Sequence, residues 1–497
     1  MKRRGFLHGG FAAAGGALLS ASPAARAIAA LSAEPVGDAA VATLASRLRG
    51  RVHRPGDDGY DALRRVFSPK ADARPALFVH VASVDDVRHA VDFARERALP
   101  LAVRCGGHGY AGHALSDGGL VVDMSGLRAL AIDDDASAIE VGGGALLGMV
   151  DRATAARGRA TVLGQCPGVG IGGFALGGGV GPLMAGHGVA CDNLLSARLV
   201  LADGRVVTAS AEENPDLYWA IRGGGGNFGV ATAFRLRLHP VAEIHAGNLV
   251  YRADSPAALL RAYADAIAAQ PDALTLIAVF TRGRDDVPVF SVQATWTGDA
   301  DAAEPAIAPL RRLPGLLVDD AKRRPYLELQ SEVPAEIPPT LQENRGGFVP
   351  ALDDAVIDVI AETLAQAPPG FMLGLVHFNG APVQVPLAAT AFPLRSRGIA
   401  HGLGGFWRET KDRDAVAGWV RDYALRMAPH GLGVNYVNVM DLEGEDAVRA
   451  AYGANYARLA ALKATYDPGN LFRHNQNIRP EPPAGRAASV GDGDMPQ

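Results

Sequence analysis

The sequence predicts an α+β protein with two main units, and three observations carry that reading. Strand–helix–strand patterns in the first third end repeatedly in glycines, at Gly106-Gly107 and at Gly142-Gly143-Gly144, which is how ligand-facing loops are built. An Asp203-Gly204 turn lies between the apolar runs 197–201 and 206–208, a hairpin signal. After a break near Pro240 to Ala246, helical and strand patterns alternate again through the middle of the chain, giving a second α+β unit. The length of 497 residues suits two or three domains, and 48% hydrophobic with 20% charged residues describes a globular chain.

The elements follow in order. Residues 1–30 read as a twin-arginine export signal: Lys2-Arg3-Arg4-Gly5-Phe6-Leu7, then a small apolar stretch, then Ala25-Arg26-Ala27 as a cleavage site. Periplasmic or secreted localisation is the expectation. Residues 40–245 form the first unit. It has a short helix at 41–49, strands at 76–81, 101–104, 119–123 and 138–141, and helices at 83–98, capped by Ser83, and 146–157. A strand at 160–163 is expected before the glycine-rich loop that follows. Residues 246–430 form the second unit, with helices at 255–270, 353–366 and 412–427 and strands at 274–281, 290–295 and 371–378. The Pro-rich stretch 336–350 reads as loop. Residues 431–480 are a C-terminal segment with a helix at 446–465, and 481–497 a disordered tail.

Composition excludes several classes. The net charge of -5 and the lack of a Lys/Arg block argue against nucleic acid as a partner. Beyond the export segment nothing is apolar enough for a stable membrane span. Three cysteines are too few for a disulfide framework, and Cys191 reads as a buried small hydrophobe. No metal-ligand pattern is found.

Chemistry concentrates in two glycine-rich segments. In Gly164-Gln165-Cys166-Pro167-Gly168-Val169-Gly170-Ile171-Gly172-Gly173, the glycines at 168, 170 and 173 match the dinucleotide pattern, with Asp192 a little over twenty residues on. A Rossmann turn must lead into a helix, and the further run Gly177-Gly178-Gly179 opposes one. A backbone nest offering N–H groups to a pyrophosphate fits better. In Arg104-Cys105-Gly106-Gly107-His108-Gly109-Tyr110-Ala111-Gly112, a strand end presents one histidine between glycines. A lone histidine is most often a surface or core residue, but this placement favours a ligand site.

With these two motifs, three others complete a resemblance. They are Pro215 to Gly229, with Asn227 and Gly229; Ala388-Ala389-Thr390-Ala391-Phe392-Pro393; and Tyr452 to Ile478, with Asn475 and Asn477. The chain resembles the berberine-bridge-enzyme-like flavoproteins of the vanillyl-alcohol-oxidase superfamily. The resemblance implies a two-domain FAD-binding fold whose substrate domain is an antiparallel sheet backed by helices, with the C-terminal segment returning to the FAD domain. It implies FAD bonded to His108 through the 8α-methyl and to Cys166 through C6. Arg104, Gly106, Gly107, Gly109, Gly168, Val169, Gly170, Gly172, Gly173, Gly178, Asn227, Gly229, Asn475 and Asn477 would line the cofactor.

The implied reaction is hydride transfer from an alcohol or amine C–H of a small-molecule substrate to flavin N5. Dioxygen is the expected electron acceptor, because the small Val169 beside the flavin leaves it space. The alternatives are a dehydrogenase with another acceptor and a flavin-binding protein that has lost catalysis. The family's Tyr-x-Asn-Tyr segment reads Tyr436-Val437-Asn438-Val439 here, and a further family aromatic is Val180. Tyr436 is the candidate base, with a packed strand aromatic as the alternative reading, and Tyr110 and His187 stand behind it. A phenol needs a nearby cation to serve as a base at neutral pH.

Overall fold

A computed structural model describes residues 36–481 apart from 70–71, 284–285 and 335. The expected export signal (1–30) and the tail beyond 481 lie outside the described residues. Among the described residues no helix is long and apolar enough to cross a membrane.

The N-terminal half holds two sheets. In the first, Arg51–His53, Leu77–His80, Leu120–Asp123 and Leu101–Arg104 lie side by side, the last three parallel. Parallel neighbours need crossovers. The helix Val84–Glu96 supplies one, and Ser83 caps it by accepting from Asp86 N. The helix buries Val87, Ala90, Val91 and Ala94 against that sheet. The second sheet runs Leu130–Ile132, Ala138–Gly142, Val230–Arg237, Leu194–Val200, Val206–Ser210, all antiparallel. Its core is shared with the C-terminal helices Glu445–Tyr452 and Tyr456–Tyr466. One long helix was expected there. Gly453, at φ +53, divides it into two.

The large sheet of the middle region has eight strands among the described residues. Its path is Leu316–Asp319, Glu243–Arg252, Pro288–Trp296, Leu274–Arg282, Phe371–Phe378, Gly398–Trp407, Leu341–Val349, with Lys322–Pro325 also on the second strand. Every pairing is antiparallel. Pro256–Ile267, Asp354–Ala365 and Arg413–Met427 back one face, burying Leu276, Ala278, Leu373, Leu375 and Leu403. Polar atoms on that face are matched across it: His377 bonds the Tyr263 hydroxyl at 2.9 Å, and His401 that of Tyr423 at 2.8 Å.

Three expectations need correction. The stretch read as loop contains the edge strand Leu341–Val349. Residues 160–163 are not a strand but an extended segment with one isolated bridge, Ala160 to His239. The glycine-rich loop does enter a helix, Ile171–Leu176, which stops at Gly177 before the next two glycines at φ +119 and +80. The Rossmann alternative fails instead at Asp192. Its carboxylate takes a two-pronged ion pair from the buried Arg395, at 2.6 and 2.9 Å, and caps Val189 N.

Candidate active site

The strand Leu101–Arg104 ends where Arg104 donates to the fully buried Asp123, which also holds His80 and Ser125. Burial by itself would raise the Asp123 carboxyl, but the hydrogen bonds from His80 and Ser125 and the Arg104 charge outweigh it and hold it below its usual range, so it stays charged and fixes the strand end. Gly107, at φ +72, then turns the chain and presents His108. A side chain on Gly106 would run into Gly168 O and Gly170 N, so the two glycine-rich loops touch backbone to backbone. That contact sets His108 beside Cys166, with Nδ1 and Sγ 3.9 Å apart.

Burial lowers the His108 pKa, keeping a neutral imidazole with a free nitrogen lone pair. Burial also raises the Cys166 thiol, partly offset by the N–H groups of Gly168 and Val169. Phe67 stacks on His108, with centroids 5.7 Å apart, and meets Tyr110 edge-on at 5.5 Å. Tyr110 is held above its ordinary pKa by burial and then by Cys166, which places it with this pair.

The loops around this pair leave room. A Cβ on Gly109, Gly173 or Gly226 would meet nothing within 4 Å, and Gly172 has only one backbone neighbour closer than 3.5 Å. Arg104 Nε, Asn475 Oδ1 and Asn477 Oδ1 are buried with no protein partner among the described residues. Such atoms ask for a polar ligand. Asn227 is different: its amide bonds Gly224 O, Gln476 O and Ile478 N, so it pins the C-terminal segment to the loop. Lys463 reinforces that join from full burial, donating to Asn227 O, Phe472 O and Asp467. Gly229 packs tightly on Val200 O, and Gly178 on the Phe392 ring. These three shape the loop without opening onto space.

Tyr436 sits where the units meet, edge-on to Phe392 at 6.1 Å. Its hydroxyl oxygen accepts from Gly179 N and Val180 N at 3.2 Å and from Asn438 Nδ2 at 2.9 Å. Three donors would favour a phenolate, but burial outweighs them and pushes the pKa up to about 12. None of its shifting influences is a cation. With its acceptor side filled, the hydroxyl is suited to donate a hydrogen bond, not to take a proton. His187 is engaged elsewhere, its ring stacked on His239 at 3.9 Å and its carbonyl bonded to Asn193.

The open face of the large sheet lies opposite. Val376, Phe378, Ala400 and Phe348 on it pack with Val180, Phe392 and Tyr436. Farther along the same face, Gly374, Gly402 and Gly346 stand in register on three neighbouring strands. A Cβ on Gly402 would meet nothing within 4 Å, and one on Gly374 only a backbone oxygen at 4.0 Å. A Cβ on Gly346 would instead run into His401 O, so the bare backbone floor lies at Gly374 and Gly402. Thr340 N bonds Phe67 O at 2.8 Å, and Asn344 Nδ2 bonds Val439 O, which tie the edge strand to both sides of the site. Phe67, Phe392, Asn438, Asn344 and the glycine floor were not among the expected site residues. Only Phe392 and Asn438 stood in a recognised motif.

The open glycine loops and the unpartnered buried polar atoms fit a polar cofactor, and comparison with known proteins names FAD. The FAD binding domain model matches residues 75–210, and the berberine and berberine-like model matches 435–479. (R)-6-hydroxynicotine oxidase of Paenarthrobacter nicotinovorans is 32% identical over 462 residues, covering 87% of this chain and 97% of that protein. The crystal structure of 6-hydroxy-D-nicotine oxidase from Arthrobacter nicotinovorans superposes with a TM-score of 0.80 at 30% identity, covering 87% and 98%. Berberine bridge enzyme bound to (S)-reticuline shares the fold, at TM-score 0.79 and 20% identity over 90% of this chain and 100% of that one. With the site's glycine loops, returning C-terminal segment and sheet-floored cleft matched along nearly the whole length of an oxidase, the chain belongs to the berberine-bridge-enzyme-like family of FAD-linked oxidoreductases.

Proposed function

We propose that the protein is an exported FAD-dependent oxidase that holds its cofactor covalently through His108 and Cys166 and oxidises an amine at the C–H beside nitrogen. The convergence of His108 Nδ1 and Cys166 Sγ, 3.9 Å apart beside open glycine loops, supports the two attachments. When bound, FAD accepts the hydride and passes the electron pair to dioxygen, giving hydrogen peroxide. The rest falls to the chain. Loops 104–112 and 164–173 orient the cofactor, and Asn475 and Asn477 offer it their unpartnered oxygens. The small Val169, beside Cys166, leaves dioxygen its approach.

The choice of amine over alcohol rests on Tyr436. Hydride leaving a neutral amine's α-carbon gives an iminium ion and requires no proton removal, whereas an alcohol must lose a proton to a base. Tyr436 offers a donor where a base would be needed, and Val180 and Val439 offer nothing titratable. A donor facing the cleft admits the amine as its free base. The 32% identical relative is named an oxidase of (R)-6-hydroxynicotine, a molecule that carries an amine nitrogen, which supports the choice.

The test is a peroxide-coupled screen of cyclic amines against matched alcohols. Turnover of amines, rising as pH deprotonates them, is expected, and turnover of alcohols alone defeats the assignment. Peroxide from neither, with the flavin still reduced by substrate, would make the protein a dehydrogenase. Acid-denatured wild type should keep its flavin on the chain. Export is tested by replacing Arg3 and Arg4 with Lys, which should strand the flavin-loaded precursor in the cytoplasm.

A further inference from the structure

Asp151 is 4% exposed and lies in the middle of the helix Leu147–Ala155, a place where an apolar side chain would cost nothing to bury. The helix starts directly beneath the Cys166 loop. Leu147 N bonds Val169 O, Gly148 N bonds Pro167 O, and Gly148 packs flat on Pro167. One turn on, Asp151 faces the middle unit. Both carboxylate oxygens take Gln330 Nε2, at 3.4 and 3.3 Å. Gln330, 2% exposed, ends the helix Tyr326–Gln330, and the same Nε2 lies 3.4 Å from Gly164 O, two residues before Cys166. Among the described residues Asp151 has no ion pair, and Gln330 Oε1 and the buried Tyr326 Oη have no partner. A buried carboxyl with no ion pair, bonded to one amide, is a costly arrangement, retained here at a seam where both units and the Cys166 loop meet.

We propose that Asp151 and Gln330 are positioning residues for the attachment of flavin at Cys166. Gln330 bridges Asp151 to Gly164 O and holds the Cys166 loop in register only when the middle unit is docked. Formation of the Cys166 thioether is thereby tied to assembly of the substrate cleft, while attachment at His108, on a different loop held by Asp123, is independent of it. Each attachment replaces one flavin hydrogen, at C6 by the Cys166 sulfur and at the 8α-methyl by a His108 nitrogen, with the two electrons passing to dioxygen and the two hydrogens leaving as hydrogen peroxide. The inference rests on the two-point attachment proposed above.

The test separates the two links. His108→Ala leaves Cys166 as the sole attachment, and flavin retained on the acid-denatured chain, read as fluorescence of the protein band, reports it. Adding Asp151→Leu or Gln330→Leu to His108→Ala should lower that retention roughly 10-fold or more, since each removes the bridge through Gln330 Nε2 between Asp151 and Gly164 O. Asp151→Asn, which still accepts from Gln330, should restore it. Cys166→Ala with Asp151→Leu should retain flavin as fully as Cys166→Ala alone. If His108→Ala with Asp151→Leu keeps its flavin, or if Cys166→Ala with Asp151→Leu loses it too, the positioning role is wrong and the pair serves the fold at large. Release from His108→Ala by itself would sink the Cys166 attachment and the positioning role with it.

Discussion

In the flavin unit a methyl group on Gly106, Gly144 or Gly170 would run into backbone or into Cys105, whereas in the large sheet a methyl on Gly402 meets nothing within 4 Å. The same residue serves opposite ends in the two regions. Around the flavin, glycine lets two loops approach closer than any side chain permits. At Gly402 and Gly374 on the sheet, glycine keeps space empty above the strands, while Gly346 beside them is tight against His401 O. Sequence alone does not separate these uses, since both regions show as glycine-rich.

The sharpest way to break the comparison is Gly170→Ala. Its methyl would be driven into Cys105 Sγ and Gly106 N at the contact that sets His108 beside Cys166. A loss of about 1–3 kcal/mol or more is expected, the range of overpacked cores, with flavin-poor or insoluble protein. Thermal unfolding and the absorbance ratio of flavin to protein would check it. A variant as stable and as yellow as wild type would mean that the loops are not in contact.

The second test lies at the seam between the regions. Burial holds the Asp151 carboxyl at about 7, above its ordinary 3.8. The folded state therefore binds that proton more tightly than the unfolded chain does. Stability from this group is full below the unfolded pKa and is lost as pH rises from about 4 through about 7. Asp151→Asn should remove that slope and unfold later than wild type above neutral pH, by on the order of 1–4 kcal/mol. Parallel unfolding curves for the two proteins at acid and alkaline pH would show that the carboxyl is solvated.

How legible all this was depended on where the apolar signal lay. Leu101–Arg104 and Phe371–Phe378 were readable in full because apolar residues fill them between clear stops. Leu341–Val349 was not. Its inward face carries Glu343 and Arg345, paired with each other at 2.7 Å, and its outward face has glycine and amides, so no alternation shows. The two glycine-rich loops stood out because backbone that turns and packs this closely needs glycine at fixed places. The residues that complete the site from afar, such as Gln330 and Asn344, were invisible: nothing local marks a side chain whose partner is 95 or 166 residues away.

Tyr436→Phe sharpens the contrast on the substrate side, where the effect is smaller. Phe keeps the packing on Phe392 and removes the oxygen that Gly179, Val180 and Asn438 share. Flavin content should hold, substrate affinity should fall, and flavin reduction at saturating amine should change less than about 10-fold. Stopped-flow reduction decides it. Slowing by roughly 10²–10⁴-fold would restore Tyr436 as the base.

Gly402→Ala should have the smallest effect on the fold and is for that reason the most informative about the cleft. Gly402 lies in a central strand with ordinary extended geometry and has Gly346 and Gly374 as its neighbours. Alanine costs less backbone entropy than glycine, so stability should be unchanged or higher by about 0.5–1 kcal/mol. The methyl would stand alone on a bare floor, against which the proposed amine substrate would be held. KM for large amines should rise several-fold while that for small ones stays put, and Gly402→Leu should exaggerate the difference. A fall in stability like that of Gly170→Ala would mean that the floor is packed and not open. A KM that rises equally for large and small amines would place the substrate elsewhere on the sheet.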